Sequence, residues 1–179
     1  MNTRFLGLGA LAGLLVLIAD QGSKWWMDAV LRLQEVRHIP LLSAGPFALD
    51  FSMVWNRGVT FGLLAGDAPW HGWLLAGAAL AVAALLIRWL ARAETRAVAI
   101  ALGGIIGGAV GNVIDRLRWG AVFDFVDASA WGWHWYVFNV ADAAIVLGVV
   151  VLVADALFRP SSTQPPATEP PLDQARPRV

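Results

Sequence analysis

Four long apolar runs separated by polar stretches dominate the chain. They cover about residues 5–26, 70–90, 97–116 and 136–158. Each run reaches the length of about 20 residues that an α-helix needs to cross a bilayer. The first run follows Arg4, and its alternative interpretation is a cleavable secretory signal peptide. We favour a retained helix, because the run continues into DQGSKWWMDAVLRL without an evident cleavage site.

The stretch between the first two runs has a different periodicity. Apolar side chains occupy every second position from Phe47 to Trp55, which is the pattern of a half-buried strand. WNRGVTFGLL follows, and Gly58 and Gly62 in it indicate a turn or a close backbone approach. The segment from about 34 to 66 is too polar to span a bilayer. We predict an α-helical polytopic membrane protein with four transmembrane helices and a small extracytoplasmic β-rich cradle.

Glycines recur every four residues in the third run, in two neighbouring series. The first series is Gly103, Gly107 and Gly111, and the second is Gly104 and Gly108. Small residues at this spacing let helix backbones approach closely in lipid. We therefore expect the third helix to pack closely against its neighbours.

The orientation follows from the basic residues. Arg88, Arg92 and Arg96 mark the short loop between the second and third helices as cytoplasmic by the positive-inside rule. Four spans then place both termini in the cytoplasm and the β-rich segment outside. Six of the nine prolines fall in residues 160–179, and we predict that residues 159–179 form a disordered cytoplasmic tail.

The amino-acid composition excludes several classes of partner and reaction. The chain is 58% hydrophobic and only 15% charged, and its net charge of +0 gives no indication of a nucleic-acid partner. The absence of cysteine excludes a thiol nucleophile, a disulfide and a thiolate-bound metal. His38, His71 and His134 lie far apart and lack metal-binding spacing, so we expect no metal and no cofactor.

Polar residues concentrate where the third helix ends and the fourth begins. Asn112, Asp115 and Arg116 are three to four residues apart, so they share one broad helical face. Asn139 and Asp142 share a face of the fourth helix. Because polar groups at membrane depth are costly, such a cluster is a functional-site hypothesis.

Asp124 lies in the intervening loop and can reach Asp142 if that loop folds back. Two carboxylates in a low-dielectric pocket tend to share one proton, so one acts as a base on water while the other polarises a carbonyl. For each aspartate the alternative is a structural hydrogen bond or ion pair, such as Asp115 with Arg116. Asp20 and Lys24, four residues apart, are positioned to pair in the same way.

Five sequence blocks in a fixed order carry a resemblance to a known family. The blocks are DQGSK, WNRGVTFGLL, GGAVGNVIDR, VFDFVD and FNVADAAI. Together they resemble the lipoprotein signal peptidases, the bacterial type II signal peptidases. The resemblance implies an aspartic endopeptidase of the bacterial cytoplasmic membrane, with its site near the extracytoplasmic face. Its substrates would be diacylglyceryl-modified prolipoproteins, cut just before the lipidated cysteine.

The resemblance also implies roles for individual residues. The catalytic pair is Asp124 and Asp142. The residues that shape the pocket or bind substrate are Asn56, Asn112, Asp115, Arg116 and Asn139. The structural polar residues are Asp20, Lys24, Arg57 and Gly58. We expect a monomer that works in contact with membrane lipid, without nucleic acid, metal or cofactor.

Two other functions compete with this one. A small transporter or channel subunit could use Asp115, Asp124 and Asp142 as a proton or cation relay, but the polar residues gather near one membrane face instead of spanning its depth. A non-catalytic scaffold of the cell envelope would leave the paired aspartates unexplained. A Ser–Lys nucleophile is disfavoured, because Ser23 and Lys24 are adjacent and point about 100° apart on a helix.

Overall fold

The computed structural model describes residues 4–58 and 70–158. In these residues four helices are long and apolar enough to cross a membrane. The elements in chain order are α1 (Leu6–Trp25, continued by a π-helical turn, Trp26–Val30), α2 (Leu33–Val36), β1 (His38–Ala44), β2 (Phe47–Asn56), α3 (His71–Leu90), α4 (Arg96–Trp119), β3 (Val122–Ala130), β4 (Trp133–His134) and α5 (Val140–Phe158). The predicted fold class is therefore confirmed.

Helix α4 is the centre of the bundle and packs against α1, α3 and α5. The glycine series explains this arrangement, since Gly103 and Gly107 lie directly against the backbone of Gly9 and Gly13 in α1. On the neighbouring edge, a Cβ added to Gly108 would lie 2.6 Å from a carbonyl oxygen of α5. The predicted close packing of the third helix is confirmed.

The four strands form one antiparallel sheet in the order β1-β2-β3-β4. The alternating segment predicted from Phe47 to Trp55 is confirmed as β2. The stretch between the third and fourth helices was expected to be a loop, and this expectation is wrong, because it contains β3 and β4. Residues Val122 to Phe125 are buried on both faces of the strand, so they lack the alternation of a half-buried strand.

The helix boundaries differ from the predicted spans at two points. Helix α4 continues to Trp119, where Gly120 adopts a left-handed conformation with φ of 72° and ends the helix. The fourth helix begins at Val140 and not at 136, because Phe138 is still extended and bridges to Val126 of β3. Residues 59–66 of the predicted β-rich segment and the predicted tail, 159–179, lie outside the described residues.

One hydrophobic cluster attaches the sheet to the bundle. Met27 of the π-helical turn and Leu33 of α2 pack with Phe123 and Phe125 of β3. Only Gly120 and one further residue separate α4 from β3, so the end of the sheet where β3 begins lies against the ends of α1 and α4. We refer to it below as the site end of the sheet.

Candidate active site

Asp124 lies in β3 at the site end of the sheet and is fully buried. Its two oxygens accept hydrogen bonds from asparagine amides. Nδ2 of Asn56, in the paired strand β2, donates to Oδ2 at 3.0 Å, and Nδ2 of Asn139 donates to Oδ1 at 2.7 Å. Burial, followed by the charge of nearby Asp142, raises the pKa of Asp124 to about 8. This carboxyl can therefore hold a proton at neutral pH.

Asp142 is held by the first turn of α5. Asn139 is the residue preceding that helix, and its Oδ1 accepts the N–H of Asp142 at 2.9 Å. Oδ2 of Asp142 accepts the N–H of Asn139 in return, at 3.3 Å, which completes a reciprocal capping box. Nδ2 of Asn112 donates to the other oxygen at 2.9 Å. Asn139 thus contacts both carboxyl groups and fixes one relative to the other.

A second pair of aspartates lies beside the first and surrounds a lysine. Nζ of Lys24 is 2.8 Å from Oδ2 of Asp20 and 2.6 Å from Oδ2 of Asp115, and all three side chains are at most 2% exposed. The predicted pairing of Asp20 with Lys24 is confirmed. The partner of Asp115 is this lysine and not Arg116, its neighbour in the chain. We call these three residues the lysine cluster.

The lysine cluster also holds the backbone next to each member of the first pair. Oδ1 of Asp20 accepts the N–H of Ala141 at 3.0 Å, and Ala141 directly precedes Asp142. Oδ2 of Asp115 accepts the N–H of Phe123 at 3.2 Å, and Phe123 directly precedes Asp124. One buried cluster therefore positions α5 and β3 relative to α1 and α4.

Arg116 connects α4 to the end of β2. Its Nη2 donates to the carbonyl oxygen of Gly58 at 2.8 Å, and the N–H of Gly58 donates to Oδ1 of Asn56 at 3.0 Å. This chain of contacts orients the amide of Asn56 towards Asp124. Arg57, between Asn56 and Gly58, is exposed.

Comparison with known proteins identifies the fold and the family. The sequence matches the signal peptidase (SPase) II family over residues 12–158. It is 49% identical over 157 residues to the lipoprotein signal peptidase of Methylorubrum extorquens (strain PA1), which covers 88% of this chain and 89% of the relative. It is 51% identical over 153 residues to that of Methylobacterium radiotolerans, covering 83% and 85%. The chain belongs to the signal peptidase II family.

A solved structure supports the same architecture. A bacterial membrane enzyme determined by the in meso method superposes with a TM-score of 0.73 at 23% identity, covering 94% of this chain and 98% of the other. At this identity the likeness concerns the fold. The predicted family and enzyme class are confirmed: the protein is a multi-pass membrane protein of the signal peptidase II family, which is a family of proteases.

Two residues of this signal peptidase II site were missed by the sequence analysis. Nε2 of Gln21 donates to Oδ1 of Asp115 at 3.1 Å and so adds a donor to the lysine cluster. Burial and the charges of Asp124 and Asp142 raise the pKa of Tyr136, whose side chain also forms a hydrogen bond with Asn56. Gln21 could have been found as a polar residue inside a span, and Tyr136 as the single tyrosine of the chain, three residues before Asn139.

The site of this signal peptidase II contains two carboxyl groups that are linked through one asparagine. The side-chain hydrogen bonds that the structure describes for Asp124 and Asp142 come from asparagine amides and a backbone N–H. Within residues 4–58 and 70–158, no group of three or more His, Cys, Asp or Glu side chains has the geometry to hold a metal ion.

Proposed function

We propose that this protein is an aspartic endopeptidase in which Asp124 and Asp142 activate a water molecule. The observation that carries the proposal is the contact of Asn139 with both carboxyl groups, which come from different elements and meet in a buried pocket. The only buried lysine of the described residues, Lys24, forms ion pairs with Asp20 and Asp115 in the neighbouring lysine cluster. The pair that remains has the environment in which two carboxyl groups share one proton.

In the mechanism that this geometry supports, Asp124 starts with the proton and Asp142 starts ionised. Burial favours the neutral form of Asp124, so we assign the role of the base to Asp142. Asp142 removes a proton from water, whose oxygen attacks the scissile carbonyl carbon. Asp124 donates its proton to the carbonyl oxygen. Collapse of the tetrahedral intermediate breaks the C–N bond, and the proton on Asp142 passes to the leaving amine. Asp124 takes back a proton from a hydroxyl of the intermediate, so both carboxyl groups return to their starting states.

General acid–base catalysis of this kind contributes about 10²–10⁴-fold to a rate, so positioned donors must supply more. Arg116 is suited to that role. Its Nη2 is held by Gly58, whereas its buried Nε has no hydrogen-bond partner among the described residues. We assign this Nε to a carbonyl oxygen of the bound peptide. Asn56 and Asn112 shape the pocket by holding the carboxyl groups, and Asp115 shapes it indirectly, through the position of β3.

The proposed substrates are diacylglyceryl-modified prolipoproteins, which the enzyme cuts just before the lipidated cysteine. The names of the curated relatives support a lipoprotein substrate. The geometry supports a lipid-linked one, because both aspartates lie where spanning helices α4 and α5 meet the sheet. A substrate anchored by acyl chains can reach this level from within the bilayer.

The proposed orientation places the site at the extracytoplasmic face of the bacterial cytoplasmic membrane and both termini in the cytoplasm. Arg88, Arg92 and Arg96 lie at the end of α3 and the start of α4, at the end of the bundle opposite the site. The enzyme is proposed to act as a monomer, since the residues assigned above all come from one chain.

The proposal is tested with purified protein in detergent micelles and a diacylglyceryl-modified prolipoprotein. Mass spectrometry of the products should show cleavage immediately before the lipidated cysteine, unaffected by a chelator. Asp142→Asn should abolish cleavage, whereas Asp28→Asn, an exposed aspartate near the end of α1, should preserve it. A well-folded wild-type protein that leaves the substrate intact would overturn the proposal and favour the proton or cation relay.

A further inference from the structure

The sheet has a second end, remote from the site, where two hairpin turns meet. Phe47 of β2 pairs with Ala130 of β3, and the ring of Phe47 contacts that of Trp131 edge-on, with centroids 5.1 Å apart. The N–H of Trp131 donates to the carbonyl oxygen of Pro46 at 2.8 Å. The two turns therefore form one unit, which we call the aromatic tip and define as residues 41–49 and 128–135.

The aromatic tip exposes an unusual amount of apolar surface. Trp131, Trp133 and Trp135 are 72%, 83% and 67% exposed, and Phe47 is also exposed. A shallow cavity of about 430 Å³ is lined by the side chains of Phe47, Trp133, His134 and Trp135. Neither segment of the tip contains an Asp, Glu, Lys or Arg residue. Large exposed apolar patches of this kind mark interaction sites.

The chain connects the aromatic tip directly to the membrane. Trp135 lies five residues before Val140, the first residue of spanning helix α5, and five extended residues reach at most about 18 Å. The other exposed tryptophans at this level lie at the ends of spanning helices. They are Trp25, Trp26, Trp70, Trp73 and Trp119. Indole rings prefer the headgroup level of a bilayer, so the tip continues an existing aromatic belt.

We propose that the aromatic tip inserts into the headgroup region of the leaflet on the site's side of the bilayer. From Asp124 to Ala130, β3 runs six residues, or about 20 Å. With the site end fixed by α4 and the tip anchored in lipid, the sheet lies along the membrane surface. Lipid is the occupant that we assign, because the exposed rings of the tip continue the row of tryptophans at the ends of the spanning helices. The inference depends on the spanning helices and not on the proposed function.

The absence of cysteine allows a direct test by site-directed spin labelling. A label at Trp133→Cys reports on the tip, a label at Leu147→Cys on exposed α5 is the lipid reference, and a label at Glu35→Cys on exposed α2 is the water reference. Each protein is placed in phosphatidylethanolamine and phosphatidylglycerol nanodiscs. Collision with a water-soluble nickel chelate should be several-fold lower at Trp133→Cys than at Glu35→Cys, and collision with oxygen should be higher.

Removing the remaining anchors should release the tip. Trp131→Ser and Trp135→Ser, added to the Trp133→Cys background, should raise nickel access to the level of Glu35→Cys. The same two changes should leave oxygen access at Leu147→Cys unaltered, which shows that the helices are intact. Nickel access at Trp133→Cys equal to that at Glu35→Cys would overturn the proposal. Protection from both reagents that arises only when prolipoprotein is added would replace lipid with a protein partner.

Discussion

Two pairs of buried aspartates lie side by side in this protein and have opposite surroundings. Asp20 and Asp115 share the ammonium group of Lys24, at 2.8 and 2.6 Å. Asp124 and Asp142 accept hydrogen bonds mainly from the amides of asparagines. The buried ammonium group joins the two carboxyl groups of the first pair and holds them in place. In the proposed function, the second pair shares a proton and carries out the acid–base chemistry.

The first pair nevertheless helps to position the second pair. Asp20 and Asp115 bind the backbone N–H groups of Ala141 and Phe123, the residues immediately before Asp142 and Asp124. The comparison therefore predicts two kinds of variant. Changes in the lysine cluster should act on stability first, and changes in the second pair should act on turnover first.

The largest effect on stability is expected from Lys24→Met. It leaves two buried carboxylates without a cation, and breaking a buried ion pair in this way costs about 3–5 kcal/mol. Thermal unfolding in detergent should show the loss. Arg32→Met is the matched control, since its pair with Glu35 is 71% exposed and should contribute only about 0–1 kcal/mol. Equal shifts in the two variants would mean that the lysine cluster is not structural.

Substitution of Gly111, a glycine next to the lysine cluster, should have a smaller effect on stability, and Gly104 in the same helix provides the control. A Cβ at Gly111 would collide with the carboxylate of Asp20, whereas the nearest atom to a Cβ at Gly104 is 4.0 Å away. Gly111→Ala should lower the free energy of unfolding by about 1–3 kcal/mol, the usual cost of overpacking. Gly104→Ala should be neutral or slightly stabilising, by up to about 1 kcal/mol. A destabilised Gly104→Ala with an unaffected Gly111→Ala would contradict this packing.

Asn139→Ala should separate stability from turnover. It removes the cap of α5, which costs about 0.5–2 kcal/mol, and also the contacts that join the two carboxyl groups. Thr95→Ala removes a comparable cap from α4, where Oγ1 accepts the N–H of Val98 at 3.2 Å, far from the site. Unfolding temperatures should fall similarly in both variants, while kcat should fall only in Asn139→Ala. Unchanged kcat in both variants would show that Asn139 does not position the two carboxyl groups for cleavage.

The smallest effect is expected from pH near neutrality. The pKa of Asp124 is about 8, so cleavage should decline as pH rises through that value, by up to about tenfold per pH unit beyond it. The raised pKa of the folded state also means that this carboxyl favours folding at low pH and that its contribution is lost as pH rises towards 8. Asp124→Asn should flatten that part of the unfolding-temperature profile between pH 5 and 9. A profile identical to wild type would assign the raised pKa to another group.

The features that could be predicted from the sequence are those that depend on residues close together in the chain. The i,i+4 spacing of Asp20 and Lys24 predicted their contact, and the alternation from Phe47 to Trp55 predicted β2. Strand β3 was not predicted because its first four residues, VFDF, are buried on both faces and have no alternation. The approach of Lys24 to Asp115 joins residues that are distant in sequence. Only tertiary packing of α1 on α4 reveals that Asp115 belongs to the lysine cluster.

The most direct test of the account compares Asp124→Asn with Asp115→Asn in two assays, prolipoprotein cleavage and thermal unfolding. Asp124→Asn should lose cleavage and unfold at the same or a higher temperature, because it removes a buried group whose charge would face Asp142. Asp115→Asn should unfold at a lower temperature, because it takes one carboxylate away from Lys24. Cleavage that survives Asp124→Asn, or an unaltered unfolding temperature in Asp115→Asn, would contradict the division of the four aspartates into a structural and a reactive pair.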